Sequence, residues 1–238
     1  KSFVGVPLFY EKNIIGILAM DSKEQDCFGI ETIFSLGRFV RLITILISLF
    51  EQKFAEYISQ KRLTGLLSII DTKTNIVDEK ELVKSIERSV NHFIKWDTFV
   101  FVYFDQAKNI FKTQRVINKT TLKYVGENLA VELQGTLVGK SILTGFPVKI
   151  DNTSEANHKR FSKNEDISLE GSFLTIPLIY EDQTYGVLCF ESLKKNAYSK
   201  SDVDFLKSTS GILSYLIYSF SSQNLYRSLI SIDIDTKA

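Results

Sequence analysis

The stretch SFLTIPLIYEDQTYGVLCFES, Ser172 to Ser192, is met twice in this chain. Ser2 to Ser22, SFVGVPLFYEKNIIGILAMDS, lies 170 residues earlier and aligns with it without a gap. Ser2, Phe3, Pro7, Leu8, Tyr10, Glu11, Gly16, Leu18 and Ser22 recur as Ser172, Phe173, Pro177, Leu178, Tyr180, Glu181, Gly186, Leu188 and Ser192. The same offset carries Leu36, Leu46, Ile47 and Phe50 onto Leu206, Leu216, Ile217 and Phe220. A repeat of this length marks a duplicated supersecondary unit. Each copy reads as two strand-length apolar runs around a polar turn, Glu11-Lys12-Asn13 or Glu181-Asp182-Gln183. A helix of apolar period follows, starting near Ile30 or Ser201, with Ser199, Ser201 and Asp202 as capping residues in the second copy. Pro7 and Pro177 must sit where no ladder hydrogen bond needs their missing N–H.

The copies differ in what precedes them. Upstream of the second lie about 100 residues of further α/β pattern, read on the scale of one domain. Residues 1–50 are therefore expected to be the C-terminal part of a first domain. Residues 51–61 are a coiled-coil linker helix, 62–225 a complete second domain, and 226–238 a linker toward an output domain. A hairpin and a helix cannot bury their own apolar faces. The first part is expected to be completed by upstream residues or by a partner chain.

Within the second part, Leu82, Val83, Ile86, Val90, Phe93 and Ile94 recur at helical spacing. WDTFVFVYFD, from Trp96, is apolar on both faces and reads as a central strand, with residues 109–117 as its hairpin partner. A short helix is expected near Leu137 to Leu143, then a turn at Gly145 and a short strand opened by Pro147. The fold class is α+β: an antiparallel sheet with helices on one face and a pocket-covering segment, 118–170, on the other.

These landmarks carry a resemblance. LVGKSILTGFPVKIDNTSEANHKRF, from Leu137, resembles the middle of a GAF domain, with its G-x-x-G-x-P-V turn and strand and its D-P-R-F-like stretch. SFLTIPLIYEDQTYGVLCFES resembles the closing hairpin of that family, and residues 66–97 its leading helices. The resemblance covers roughly residues 62–225, and residues 1–50 resemble the closing third again.

Composition narrows the function. The net charge is +1, from 29 Lys+Arg against 28 Asp+Glu, so no nucleic-acid partner is expected. The two cysteines, Cys27 and Cys189, make no disulfide framework or zinc site, which favours a cytoplasmic location. The longest apolar run, Leu42 to Phe50, is short for a bilayer, and no membrane span is expected. His92 and His158 read as surface residues, and no metal site is expected. Without a phosphate loop, zinc pair or nucleophile–base order, the chain is not expected to be an enzyme.

The resemblance implies a small-molecule pocket between the sheet and segment 118–170. Phe99, Phe101 and Tyr103, or the opposite parity Val100, Val102 and Phe104, would floor it. Arg115, Thr175 and Phe190 are further ligand-contact candidates. The sequence specifies no cofactor. Cyclic-nucleotide-binding members show an N-K…F-x-x-x-D-E pattern; here Tyr198 and Asp202 match in part, Val203 replaces the Glu, and Glu191-Ser192 takes the place of Asn-Lys. In the first copy Phe28 is followed by Thr32 and Ile33. Phe161 to Asp166, FSKNED, imitates the tail of the pattern and reads as a solvated charged loop. No pocket cysteine suits a bilin or a sulfoxide reductase.

Leu36, Val40, Ile43, Ile47, Phe50, Phe54 and Tyr57 fall at alternating spacings of four and three, a heptad seam expected to form a parallel homodimer. In the last helix Leu206, Leu213, Ile217 and Phe220 are interrupted or followed by Ser210, Asn224 and Arg227. Asp233-x-x-Thr236 resembles the opening of GGDEF domains, with Asp235 and Lys237 departing from it. Together these imply a bacterial signal-transduction region that binds a small molecule, dimerises, and relays a signal through helices to an output domain such as a diguanylate cyclase. The alternatives are a ligand-free dimerisation module and a cyclic-nucleotide sensor with a degenerate motif.

Overall fold

The computed structural model describes residues 1–10, 12–72, 79–106 and 108–235, and the side chains of all of these except 66, 68–72, 79–80 and 223–235. Asp233-x-x-Thr236 and the seam positions Asn224 and Arg227 thus lie outside the described side chains. The chain divides into two compact units, Lys1–Lys61 and Arg62–Ala238.

Unit one begins with the hairpin β1 (Ser2–Tyr10) and β2 (Asn13–Ser22), which form a two-stranded antiparallel sheet. Helix α1 (Ile30–Thr72) then continues past the unit boundary for 43 residues in all. Unit two adds α2 (Glu79–Phe93), β3 (Thr98–Asp105), β4 (Ile110–Asn118), α3 (Leu137–Thr144), β5 (Val148–Ile150), β6 (Ser172–Tyr180), β7 (Gln183–Ser192) and α4 (Lys200–Asp235). Its five strands run in the order β4-β3-β7-β6-β5, every neighbour antiparallel.

Local chemistry explains the boundaries. Glu181 and Asp182 both hold positive φ, 47° and 61°, as a two-residue type I′ hairpin turn requires. β5 pairs only with Phe173 to Thr175, so Pro177 lies past its end, where β6 has no second neighbour to bond. At α3, the Thr136 hydroxyl accepts from the Gly139 N–H at 2.9 Å. The helix stops at Gly145, whose φ of 70° lets its N–H donate to the Ser141 carbonyl at 3.0 Å. Ser199 and Asp202 cap the start of α4: the Asp202 carboxylate accepts from the Ser199 N–H (2.9 Å) and hydroxyl (2.7 Å).

The sheet separates two apolar cores. On one face Phe99, Phe101, Leu174, Ile176, Leu178, Leu188 and Phe190 pack with Leu82, Ile86 and Val90 of α2 and Leu206, Leu213 and Ile217 of α4. On the other, Val100, Val102, Phe173, Val187 and Cys189 meet Val131, Leu137, Val138, Val148 and Phe161 of the covering segment. Arg62 begins unit two's share of α1. Its guanidinium pairs with Asp202 and lies 4.4 Å from the Phe205 ring centre.

In unit one α1 is apolar and largely uncovered. Between Ile30 and Gly65 it is long and apolar enough to cross a membrane by length and composition, with a window of mean hydropathy 1.9. The window is longer than the uninterrupted run Leu42 to Phe50, which Arg41 and Glu51 close. One such helix is weak grounds for a span, since core helices have the same composition. The repeat supplies that comparison: Leu206, Leu216, Ile217 and Phe220 are core residues of unit two, while their counterparts Leu46 and Phe50 are 65% and 72% exposed.

Candidate functional site

Beneath the covering segment, β7 brings the carboxylate of Glu191 into the second core, where it is 1% exposed. Arg160 reaches it from the segment, with Nε 2.8 Å from Oε1, an ion pair whose N–H is not aimed at the oxygen. The Tyr124 hydroxyl donates to the same Oε1. Glu191 Oε2 is buried with no hydrogen-bond partner. Burial raises the Glu191 pKa to about 7, against the opposing pull of Arg160 and the Tyr124 hydroxyl. Burial, and then the neighbouring Glu191, push the Tyr124 phenol and the Cys189 thiol well above their ordinary values.

The segment that delivers Arg160 is tightly tied. Arg160 Nη2 donates to the Leu169 carbonyl at 2.5 Å. Glu165 accepts from the backbone N–H groups of Arg160 (2.6 Å), Phe161 (2.6 Å) and Ser162 (3.2 Å). The Ser162 hydroxyl donates to Glu132 Oε1 at 2.7 Å, and the carbonyls of Lys159 and Arg160 accept from Leu137 and Val138 at the start of α3. The expectation of a solvated loop at Phe161–Asp166 is therefore corrected. Phe161 is fully buried, edge-on to Tyr124 and Phe173, and Glu165 clamps the backbone around it.

The two faces sort the ligand candidates. Phe99, Phe101 and Phe190 stand in the helix-side core, away from the covering segment. Tyr103 packs on that side too, with its hydroxyl 2.9 Å from Ser221 of α4. Arg115 pairs with Glu87 of α2 at 3.2 Å and with Glu127 at 3.3 Å, at a half-exposed edge. Thr175 does face the covering segment, its hydroxyl accepting from the Val148 N–H at 3.0 Å. Val100 and Val102 belong to the packed core beneath the covering segment, and Phe104 packs tilted against Phe111 with ring centres 4.8 Å apart. Glu191, Arg160 and Tyr124 are the residues that sequence reasoning missed. Their signals were the Arg-Phe of the D-P-R-F-like stretch and an acidic residue near the end of an apolar strand.

Asp202 and Tyr198, the partial matches to a nucleotide pattern, are occupied in the fold. Asp202 caps α4 and pairs with Arg62, and Tyr198 is buried in the helix-side core. Among the described residues no cluster of His, Cys, Asp or Glu could hold a metal ion. An open groove of about 470 Å³ lies near β5, lined by Lys149, Asp151, Glu155 and Lys195 among others. Its Lys149 and Asp151 pair with each other at 2.6 Å, so it offers mixed charge without a buried anchor.

The comparisons agree with this architecture. A GAF domain profile matches residues 77–217, more than half of the chain, and the chain belongs to the GAF domain family. GAF domains are typical of signalling and sensory proteins. Among solved structures, the chain is similar to the GAF domain of a phosphoenolpyruvate-protein phosphotransferase from Acinetobacter, at 18% identity and a TM-score of 0.55, covering 68% of this chain and 96% of that one. It is similar to the GAF domain of a two-component sensor histidine kinase from Bacillus halodurans, at 13% identity and a TM-score of 0.52, covering 62% and 98%. It is also similar to free methionine-R-sulfoxide reductase from Neisseria meningitidis, at 16% identity and a TM-score of 0.55, covering 68% and 91%. No match was found among curated proteins. At these identities the likeness is one of fold, and the fold is shared by an enzyme as well as by sensor domains.

Proposed function

We propose that unit two is the small-molecule-binding sensor of a bacterial signal-transduction protein. The observation that carries the proposal is Glu191 Oε2, a buried carboxylate oxygen without a hydrogen-bond partner in the core beneath the covering segment, beside Arg160. Ligand sites are built this way, with apolar walls and a few convergent polar groups. Arg160, Tyr124 and Glu191 would orient the ligand, and Val100, Val102 and Thr175 would line the floor. A ligand entering here must displace part of segment 118–170, and that displacement is the signal. Helices α1 and α4 are the elements able to relay it, α1 through the heptad residues Leu36 to Tyr57 in a homodimer, and α4 toward an output domain such as a diguanylate cyclase.

The role is non-catalytic and cytoplasmic. Cys189 has its thiol pKa pushed up by burial, the opposite of an activated thiolate. Both cysteines are free thiols, as a reducing compartment maintains. Native mass spectrometry of the purified chain, alone and with cyclic mono- and dinucleotides, haem and amino acids, tests the reading. A bound species lost in Arg160→Met supports it. A chain that binds none of them, as purified or after incubation, favours the ligand-free dimerisation module.

A further inference from the structure

Helices α1 and α4 meet at a charged contact where α1 enters unit two. The Asp202 carboxylate there divides its oxygens between the two helices. Oδ2 accepts from the Ser199 N–H at 2.9 Å and from the Ser199 hydroxyl at 2.7 Å, which closes the first turn of α4. Oδ1 accepts from Nη2 of Arg62 on α1. The same guanidinium touches both neighbouring helices. Its Nε donates to the Phe93 carbonyl at the end of α2 at 3.4 Å, and its Cζ lies 4.4 Å from the ring centre of Phe205 in α4. Phe93 and Phe205 then meet edge-on with ring centres 5.4 Å apart. The side chains of Arg62 and Asp202 are 15% and 24% exposed, so salt screens this pair less than a surface one. Three residues further along α1, a Cβ on Gly65 would stand 2.7 Å from the Phe93 ring and 2.8 Å from the His92 Cβ. Glycine thus lets α1 lie close against α2 beside the pair.

The start of such a helix does not require this contact. The repeat places Gly29, Thr32 and Ser35 where unit two has Ser199, Asp202 and Phe205. In unit one the helix begins at Ile30 with neither the acid nor the ring. The contact also lies apart from the core beneath the covering segment, because Phe93 and Phe205 belong to the helix-side core.

We propose that Arg62 and Asp202 form a clasp tying the first turn of α4 to α1, so that a shift of α1 reaches α4 without passing through the sheet or the covering segment. Arg62 is a positioning residue: it holds the carboxylate in the orientation that closes the turn at Ser199. Drawing Arg62 away frees that carboxylate, and the first turn of α4 loses its support. Arginine suits the place because its planar fork bonds the carboxylate and stacks on the ring together, which lysine cannot do. Unit two thereby joins two inputs on one outgoing helix, a signal arriving along α1 and a ligand in the core of the other face. The proposal rests on reading α1 and α4 as relay helices, and it needs no ligand.

Hydrogen exchange of the whole chain, resolved by peptide, tests the clasp in Arg62→Met, Asp202→Asn and the double variant. Asparagine keeps an oxygen for Ser199 and removes the charge. Arg62→Met should speed exchange at residues 203–206 of α4 about tenfold, and Asp202→Asn should speed residues 62–65 of α1 by a similar factor, the size of a partly buried ion pair with a stacked ring. In both segments the double variant should exchange no faster than the faster single variant, since one interaction is removed either way. Residues 98–103 of β3 should be unchanged throughout. Arg62→Lys, which keeps the charge and loses the fork, should fall between the wild type and Arg62→Met, and it carries the test where Met prevents folding. An effect confined to the substituted helix overturns the proposal. Equal acceleration in β3 overturns it too, because the pair would then only support the fold as a whole. No ligand enters the experiment, so failure of the ligand reading leaves this result untouched, and a silent Arg62→Met leaves the ligand site standing.

Discussion

Arg160 and Glu191 form an ion pair with both side chains nearly out of water, 11% and 1% exposed, and Nε lies 2.8 Å from Oε1. Arg160 offsets only part of the desolvation of Glu191, and removing one partner of such a pair leaves the other's burial wholly uncompensated. Arg160→Met should therefore cost about 3–5 kcal/mol, because it strands the Glu191 carboxylate in an apolar core. The double variant Arg160→Met/Glu191→Leu should recover most of that loss, since a matched apolar pair removes both charges. Urea denaturation of the wild type, both single variants and the double variant measures the coupling.

The same carboxylate sets a pH dependence. Burial raises the Glu191 pKa from 4.5 to about 7, so the folded state holds a proton that the unfolded state has released over this interval. The stability from this group is fully present below about pH 4.5 and is lost as pH rises through 7, a difference of about 3 kcal/mol at 1.36 kcal/mol per unit. Melting temperature followed from pH 5 to pH 8 should fall by several degrees in the wild type. In Glu191→Gln that component of the slope should vanish.

Gly186 is held by the close crossing of β3, so Gly186→Val should overpack the sheet and cost about 3 kcal/mol, near the upper end for such changes. Gly16→Val should be neutral or slightly stabilising, as a β-branched residue in an uncrowded strand. Equal costs at the two sites, measured by thermal unfolding, would contradict the contrast between a flanked and an open hairpin.

The proposed dimer rests most directly on the end of the heptad run. Ile43, Ile47 and Phe50 correspond to Leu213, Ile217 and Phe220, which face the sheet in unit two, so a completed first sheet would claim them too. Phe54 and Tyr57, both more than half exposed, have no such use. Light scattering at micromolar concentration should give a dimer for the wild type and a monomer for Phe54→Lys/Tyr57→Lys. A monomeric wild type would remove the seam from the account.

The sheet, its helices and its covering segment were legible because turn residues, capping residues and the 170-residue repeat all agreed. The parity of β3 was not. Phe99 to Phe104 is apolar at every position, so period-two alternation has no contrast with which to assign faces, and only packing puts Phe99 and Phe101 on the helix side. Arg160 and Glu191 were hidden for a different reason. They lie 31 positions apart on separate elements, and an ion pair made by tertiary contact leaves no local spacing to find. Glu191 was visible as a departure from a nucleotide pattern and as an acidic residue near the end of an apolar strand. Glu165 was misread for a similar reason: a carboxylate that clamps backbone N–H groups looks, in sequence, like any charged loop residue.

The most direct measurement is a thermal melt of the wild type and of Glu191→Gln against cyclic mono- and dinucleotides, haem and amino acids. A ligand at 100 times its dissociation constant adds about 2.7 kcal/mol. At roughly 2–4 °C per kcal/mol, that is a shift of about 5–10 °C. The account predicts such a rise for one ligand class in the wild type, and a much smaller one in Glu191→Gln. No shift in the wild type, or an equal shift in both proteins, would contradict a ligand site built on the buried Glu191 and Arg160.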